Sequence, residues 1–324
     1  MATWKLSANA AFFGKQANAY TQYQPDCTLE DKLERIAQIQ GIDGVELKYP
    51  FDLENVPLVK ALLEHHELAL SAVNVDIKNA EHFRFGALSA RSAAARLRAA
   101  DLLKTSMDIA ADLGANLVTT CPLADGFDYA FELDYGLAWD HMVETLTDVM
   151  AHRDDVHVAI EYQPHEMHAK PLVNNVGKVL HLCHRVDHPL LGGNLDLGHA
   201  FAGQETPAEA AALLGSVDKL FHIHTNDSTG DGSDWDLISG AVHFWDWFEI
   251  LFTLDRIGYK GWLGADIAAH RLNAKTMFSA NTKMLLRLID LYEQLDQHHL
   301  ERLLSQDGNA ADVLEYLTEN ILRC

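Results

Sequence analysis

The chain has 324 residues, with 25 Lys plus Arg against 47 Asp plus Glu, a formal net charge of −22. Tight non-specific binding to DNA or RNA sets cations against phosphates, so this balance excludes a nucleic-acid partner and disfavours an anionic membrane surface. Hydrophobic residues at 48% and aromatics at 9% exclude disorder, and the length fits one large α/β barrel or two ordinary domains.

The chain opens on Met1-Ala2-Thr3-Trp4-Lys5-Leu6, without an apolar signal core, and no run approaches the ~20 apolar residues of a membrane span. A cytoplasmic protein is predicted. Cys27, Cys121, Cys183 and Cys324 are widely spaced, which argues against a disulfide framework or a thiolate zinc site. Eight short β-rich runs follow in order: Lys5–Ala11, Gly44–Lys48, Leu68–Asn74, Asn116–Cys121, His157–Tyr162, Leu191–Asp196, Leu220–His224 and Trp262–Ile267. Helical patterns lie near 28–40, 55–66, 90–113, 138–152, 175–186, 206–215, 243–257 and 272–298. The third is the clearest, Ala/Leu-rich and stopped by Leu113-Gly114. Regular alternation predicts βαβ units and a parallel sheet. Eight of them, with no GxGxxG after the first strand, predict an α/β fold: a closed (β/α)8 TIM barrel spanning 1–324 as a single domain. The tail, Leu300–Cys324, reads as one additional C-terminal helix, so that 299–324 forms a helical extension.

Chemistry in such a barrel sits at the C-terminal ends of the strands. Strands five to eight end in Glu161-Tyr162-Gln163, Asn194-Leu195-Asp196, His222-Ile223-His224 and Asp266-Ile267. A charged group there is costly to bury unless paired or metal-bound. Glu161, Asp196, His224 and Asp266 are therefore predicted to converge on one divalent cation: Mn²⁺, Co²⁺, Mg²⁺ or Zn²⁺. His199 lies three residues after Asp196, and Asp234 and Asp236 bracket Trp235. With a shared Asp196 these form a candidate second site, although a Gly/Ser/Asp-rich loop is equally a solvated turn. Lys48, Asn74, Gln163 and Arg271 flank the set as candidate substrate contacts; Trp235, Trp245, Trp247 and Trp262 lie close in sequence and such rings suit sugar faces, but Trp245 and Trp247 read as core of the helix after strand seven.

These residues resemble the xylose isomerase-like barrel superfamily over about 30–272, closest to the sugar aldose–ketose isomerases of the xylose isomerase and L-rhamnose isomerase type. The segments that carry the resemblance are Asp196-Leu197-Gly198-His199, Asp234-Trp235-Asp236 ahead of Gly240, and Asp266 with Arg271 five residues on. Phe83-Arg84-Phe85-Gly86-Ala87-Leu88-Ser89 and Leu113-Gly114-Ala115 resemble the approaches to the third helix and fourth strand. The resemblance implies one cation on Glu161, Asp196, His224 and Asp266 and another on Asp196, His199, Asp234 and Asp236. It also implies a sugar or sugar-derived substrate, with Glu161, Asp266 and Gln163 at the reacting atoms, Lys48, Asn74, Gln163, His199, Arg271 and Trp235 around it, and a homo-oligomer, dimer or tetramer. Two positions depart from the pattern: the isomerases have Lys where this chain has Gln163, and xylose isomerase has His where it has Lys48. Two alternatives stay open: a one-metal ketose 3-epimerase working through Glu161 and Asp266, and a sugar-binding protein without catalysis.

Overall fold

A computed structural model describes residues 4–17, 20–165, 170–268 and 270–322. Eight parallel strands close into a barrel: β1 (Lys5–Asn9), β2 (Gly44–Tyr49), β3 (Ala69–Val75), β4 (Leu117–Thr120), β5 (His157–Glu161), β6 (Leu191–Asp196), β7 (Leu220–Thr225) and β8 (Trp262–Ala265). Closure comes from β1, which pairs with both β8 and β2. The helices after successive strands are α1 (Leu29–Ala37), α2 (Val56–His65), α3 (Ala93–Asp112), α4 (Tyr135–Met150), α5 (Val176–Val186), α6 (Pro207–Gly215), α7 (Asp246–Arg256) and α8 (Ala274–Glu293). The predicted (β/α)8 architecture is the observed one, and among the described residues no helix is long and apolar enough to cross a membrane.

Local chemistry sets the element boundaries. Thr28 and Asp31 form a reciprocal capping box on α1, and Asn55, Ser92, Asp134, Asn175 and Asn273 each accept a backbone N–H at the start of a helix. The glycine stop after α3 is real: Gly114 has φ +78°, a conformation a Cβ would strain. Several predicted limits move for similar reasons. The first strand ends at Asn9 rather than Ala11, because the Asn9 side chain accepts from Ala11 N and turns the chain into a short 3-10 helix, Ala10–Phe13. A two-stranded hairpin, Gln16–Ala17 with Gln22–Gln24, stands where no element was predicted. Asp134 starts α4 three residues early.

The tail differs more. The predicted helix over 272–298 ends at Glu293, and the region expected to be one helix holds two: α9 (Gln297–Leu304) and α10 (Ala310–Ile321). Asp296 caps the first, and Gly308 with φ +73° separates them. Leu300, Leu303, Leu317 and Ile321 are buried, so amphipathic spacing does bury one face of each helix. Cys27, Cys121 and Cys183 are unpaired thiols, and Cys324 lies outside the described residues.

Strand alternation stratifies the barrel interior. Ala72, Leu117 and Ala159 form a small apolar cluster with Phe221. Two residues further along their strands stand Asn74, Thr119 and Glu161, so polar groups lie on the C-terminal side of that plug. The opposite strand faces, such as Val158, Ile160 and Tyr162, are fully buried in the main core.

Candidate metal centre

The quartet expected from the strand ends does converge. Ligand atoms from Glu161, Asp196, His224 and Asp266 all lie within 4.8 Å of one another, and all four residues are buried. His224 Nδ1 is 2.9 Å from Asp266 Oδ2, 3.5 Å from Glu161 Oε1 and 3.7 Å from Asp196 Oδ2. Asp266 Oδ1 is buried with no hydrogen-bond partner among the described residues. Three carboxylates, one imidazole and a partner-free buried oxygen fit a divalent cation. Burial pushes Asp196 up to about 7, against the opposing charge of His199. Burial also raises Asp266, with His224 opposing. His224 itself is held well above the usual imidazole range: burial works against its charge, but Glu46, Glu161 and Asp266 outweigh it.

Asp196 has a second duty. Its Oδ1 accepts from His199 N at 2.8 Å, capping a short helix, Leu197–Ala202, that no sequence pattern announced. Asn226 Nδ2 donates to both Asp196 oxygens, at 3.1 and 3.0 Å, and lies 3.3 Å from Asp236 Oδ1. Its Oδ1 accepts from Gly198 N, and a Cβ at position 198 would stand 2.8 Å from that oxygen. The glycine of Asp196-Leu197-Gly198-His199 is what lets Asn226 approach.

The second set gathers less tightly. Among the described residues, two groups of donors converge within 4.8 Å: the quartet, and Glu46 with His222 and His224. His199 Nε2 lies 3.1 Å from Asp234 Oδ2, and its Nδ1 lies 2.9 Å from the Tyr162 carbonyl. Asp234 Oδ1 is buried without a hydrogen-bond partner among the described residues. Asp236 sits at φ +47°, and burial together with Asp234 and Asp266 pushes its carboxyl well up. The loop carrying both acids is anchored at its ends: Asp227 accepts from Val242 N at 2.8 Å, His243 N at 3.0 Å and His243 Nδ1 at 2.6 Å. It is a braced loop rather than a solvated turn.

The flanking candidates divide. Gln163 is held in place: its amide nitrogen donates to Asp234 Oδ2 at 3.2 Å and its oxygen meets the Cys121 thiol at 3.7 Å. Asn74 donates to Glu46 at 2.9 Å and to Thr119 at 3.1 Å, which turns it into the barrel. Lys48 pairs with Asp76 at 3.1 Å. Trp235 is half-exposed and donates to Asp231 at 2.9 Å, and Arg271 is exposed without an ion pair among the described residues. Of the other tryptophans, Trp247 is core and Trp262 starts β8 at the N-terminal end of the barrel, away from the mouth.

Besides Asn226, sequence reasoning missed Glu46, Cys121 and Lys78. Glu46 is buried inside the barrel on β2, with His222 and His224 at 3.1 Å each. It lies mid-strand, where a search of strand ends does not look. Cys121, in no cysteine motif, stands against Gln163. Lys78, just past β3, carries an exposed side chain whose charge acts on Glu161 and Asp234. Desolvation opposes that charge, but the acidic neighbours Cys121, Glu161, Asp76 and Asp266 outweigh it and raise its pKa.

The family described as xylose isomerase-like TIM barrel matches residues 33–288, and the chain belongs to it. It is 26% identical over 207 residues to the xylose isomerase of Thermus thermophilus, covering 62% of this chain and 54% of that protein. The xylose isomerase of Thermus caldophilus is 25% identical over the same coverage. The chain thus spans about half the length of the curated relatives it matches. Among solved structures, a D-tagatose 3-epimerase-like protein superposes with a TM-score of 0.71 at 17% identity, covering 89% of this chain and 98% of that one. L-ribulose 3-epimerase does so at 0.68 and 17% identity, over 94% and 99%. At such identities the superpositions speak for the fold.

Proposed function

We propose that this xylose isomerase-like barrel is a divalent-metal-dependent sugar isomerase that interconverts an aldose and a ketose. The observation that carries the reading is the convergence of Glu161, Asp196, His224 and Asp266 at the C-terminal mouth of the barrel. A divalent cation bound there supplies Lewis acidity toward the adjacent oxygens of a hydroxy-carbonyl sugar. Asp196, His199, Asp234 and Asp236 are proposed to hold a second cation beside it.

An aldose and its ketose differ by one hydrogen moved from C2 to C1 with its electron pair, and one proton moved from the C2 hydroxyl to the C1 oxygen. The chain's part is to orient the two carbons and to shuttle that proton. Asp234 and Asp236 lie close enough for their charges to act on each other, beside an Asp234 Oδ1 with no hydrogen-bond partner among the described residues, a short path for a proton. Lys78, whose charge acts on Glu161 and Asp266, supplies the positive charge that the neutral amide of Gln163 cannot. His199 is buried and its Nδ1 is fixed by the Tyr162 carbonyl.

A second reading has an observation of its own. Among the described residues the quartet converges while Asp196, His199, Asp234 and Asp236 do not gather as tightly, and a one-metal ketose 3-epimerase would use Glu161 and Asp266 as acid and base on either side of a sugar. Turnover in D2O separates the two. An isomerase moving hydrogen directly between C2 and C1 leaves the product carbon-bound hydrogens unexchanged, whereas an epimerase places deuterium at C3.

A further inference from the structure

The buried carboxylate of Glu46 receives more donors than any simple packing role requires. Asn74 Nδ2 reaches its Oε1 at 2.9 Å and Thr119 Oγ1 reaches the same oxygen at 3.0 Å. His222 Nε2 and His224 Nε2 both reach Oε2 at 3.1 Å. Donors from β3, β4 and β7 therefore fix a group that belongs to β2, and the side chain has no freedom to rotate. An unpartnered charge at this depth is costly, so the residue persists only where its hydrogen bonds are complete.

An imidazole binds a cation through one nitrogen, and the other must carry hydrogen. On His224 the two edges face opposite ways. Nε2 meets Glu46, and Nδ1 meets Asp266, Glu161 and Asp196, while the Asn194 amide nitrogen lies beside the ring at 3.1 Å from Nδ1 and 3.3 Å from Nε2. An ionised carboxylate only accepts, so Glu46 keeps hydrogen on Nε2; on the other edge Asp266 would hold a proton on Nδ1 in the same way, and a cation shared by Nδ1 and Asp266 would replace it. From this geometry we infer that Glu46 is a positioning residue for the cation centre: it holds the Nε2–H of His224, fixes the ring, and so makes Nδ1 the ligating nitrogen. The inference rests on the reading of the quartet as a cation site.

Glu46, His222 and His224 also converge as a group that could itself take a metal ion. The contacts argue for hydrogen bonding instead. Both imidazole nitrogens stand at hydrogen-bond distance from one oxygen, and the other oxygen is occupied by an amide and a hydroxyl. His222 is the supporting member, and burial keeps it neutral by lowering its pKa against the pull of Glu46.

The test is Glu46→Gln, which keeps the shape but can donate to Nε2 and so favours hydrogen on Nδ1. Chelator-stripped wild type and variant are titrated with Co²⁺ by calorimetry, and the visible absorption of the bound Co²⁺ is recorded. Removing the partner of a ligating histidine weakens metal binding by about 10–100-fold, and that loss with an altered Co²⁺ spectrum is expected. Wild-type affinity and spectrum in the variant would overturn the assignment. Loss of one of two bound ions, with the other unaffected, would make Glu46 a ligand and would overturn it equally. A wild type that binds no Co²⁺ would overturn the cation reading itself. Should the variant fail to fold, wild type labelled with ¹⁵N-histidine and loaded with Zn²⁺ carries the same test. His224, identified by its absence in His224→Asn, should show hydrogen on Nε2 and metal on Nδ1. The reverse assignment contradicts the inference.

Discussion

On one side of the barrel mouth, β5 to β8 end in Glu161, Asp196, His224 and Asp266, the residues that fit a cation. On the other, β2 to β4 present Glu46, Asn74 and Thr119, hydrogen-bonded to one another inside the barrel, with Lys48 further along β2 and Lys78 just past β3. One half carries the acids at the rim; the other carries a buried acid that anchors a histidine, and the cations. They meet at His224, whose two nitrogens face the two halves. A rim of acids alone would repel itself. The opposite half orients the imidazole and supplies positive charge, so the centre belongs to both.

The comparison breaks most sharply at the rim. Asp196→Asn should lower turnover by about 10³-fold, the loss of several kcal/mol of charge stabilisation, with the fold intact by circular dichroism. Steady-state kinetics with saturating Mn²⁺ checks it.

Proton competition comes next. Without a cation, the raised Asp196 carboxyl favours its protonated form, so its contribution to stability is present at low pH and lost as pH rises through about 7. Cation binding displaces that proton and runs the other way. Affinity for Mn²⁺ should fall about tenfold for each pH unit below 7 and level off above pH 8. The melting temperature of cation-free protein should decline over the same rise in pH. Titrations at pH 5, 6, 7 and 8 measure both.

The cationic half should respond less. Lys78→Met should reduce kcat by about tenfold while leaving Mn²⁺ affinity near wild type, because Lys78 faces the carboxylates without being a ligand. An equal fall in both would merge the two halves into one role. The smallest effect is expected for Trp235→Phe, which loses one exposed hydrogen bond to Asp231; stability should shift by no more than about 0.5 kcal/mol.

The halves also differ in how legible they were. Strand-end acids after apolar runs stand out in sequence because a charge there is costly to bury unless paired or metal-bound, so Glu161, Asp196, His224 and Asp266 were readable along with the barrel. Glu46 was not: Gly44-Val45-Glu46-Leu47-Lys48 reads as a strand with an outward acid, and only barrel closure sets Glu46 against His222 and His224 from 176 and 178 residues away. Asn226 and Gly198 work as a pair separated by 28 residues, which no local pattern reveals. The tail was misread because amphipathic spacing continues through Asp296 and Gly308, where a cap and a positive φ break the helix.

The most direct test is diffraction from crystals soaked in Mn²⁺, with data collected to record the anomalous signal of manganese. The account predicts a peak bonded to Glu161, Asp196, Asp266 and His224 Nδ1, with Glu46 still hydrogen-bonded to Nε2. A peak elsewhere, or none at the quartet, would contradict it.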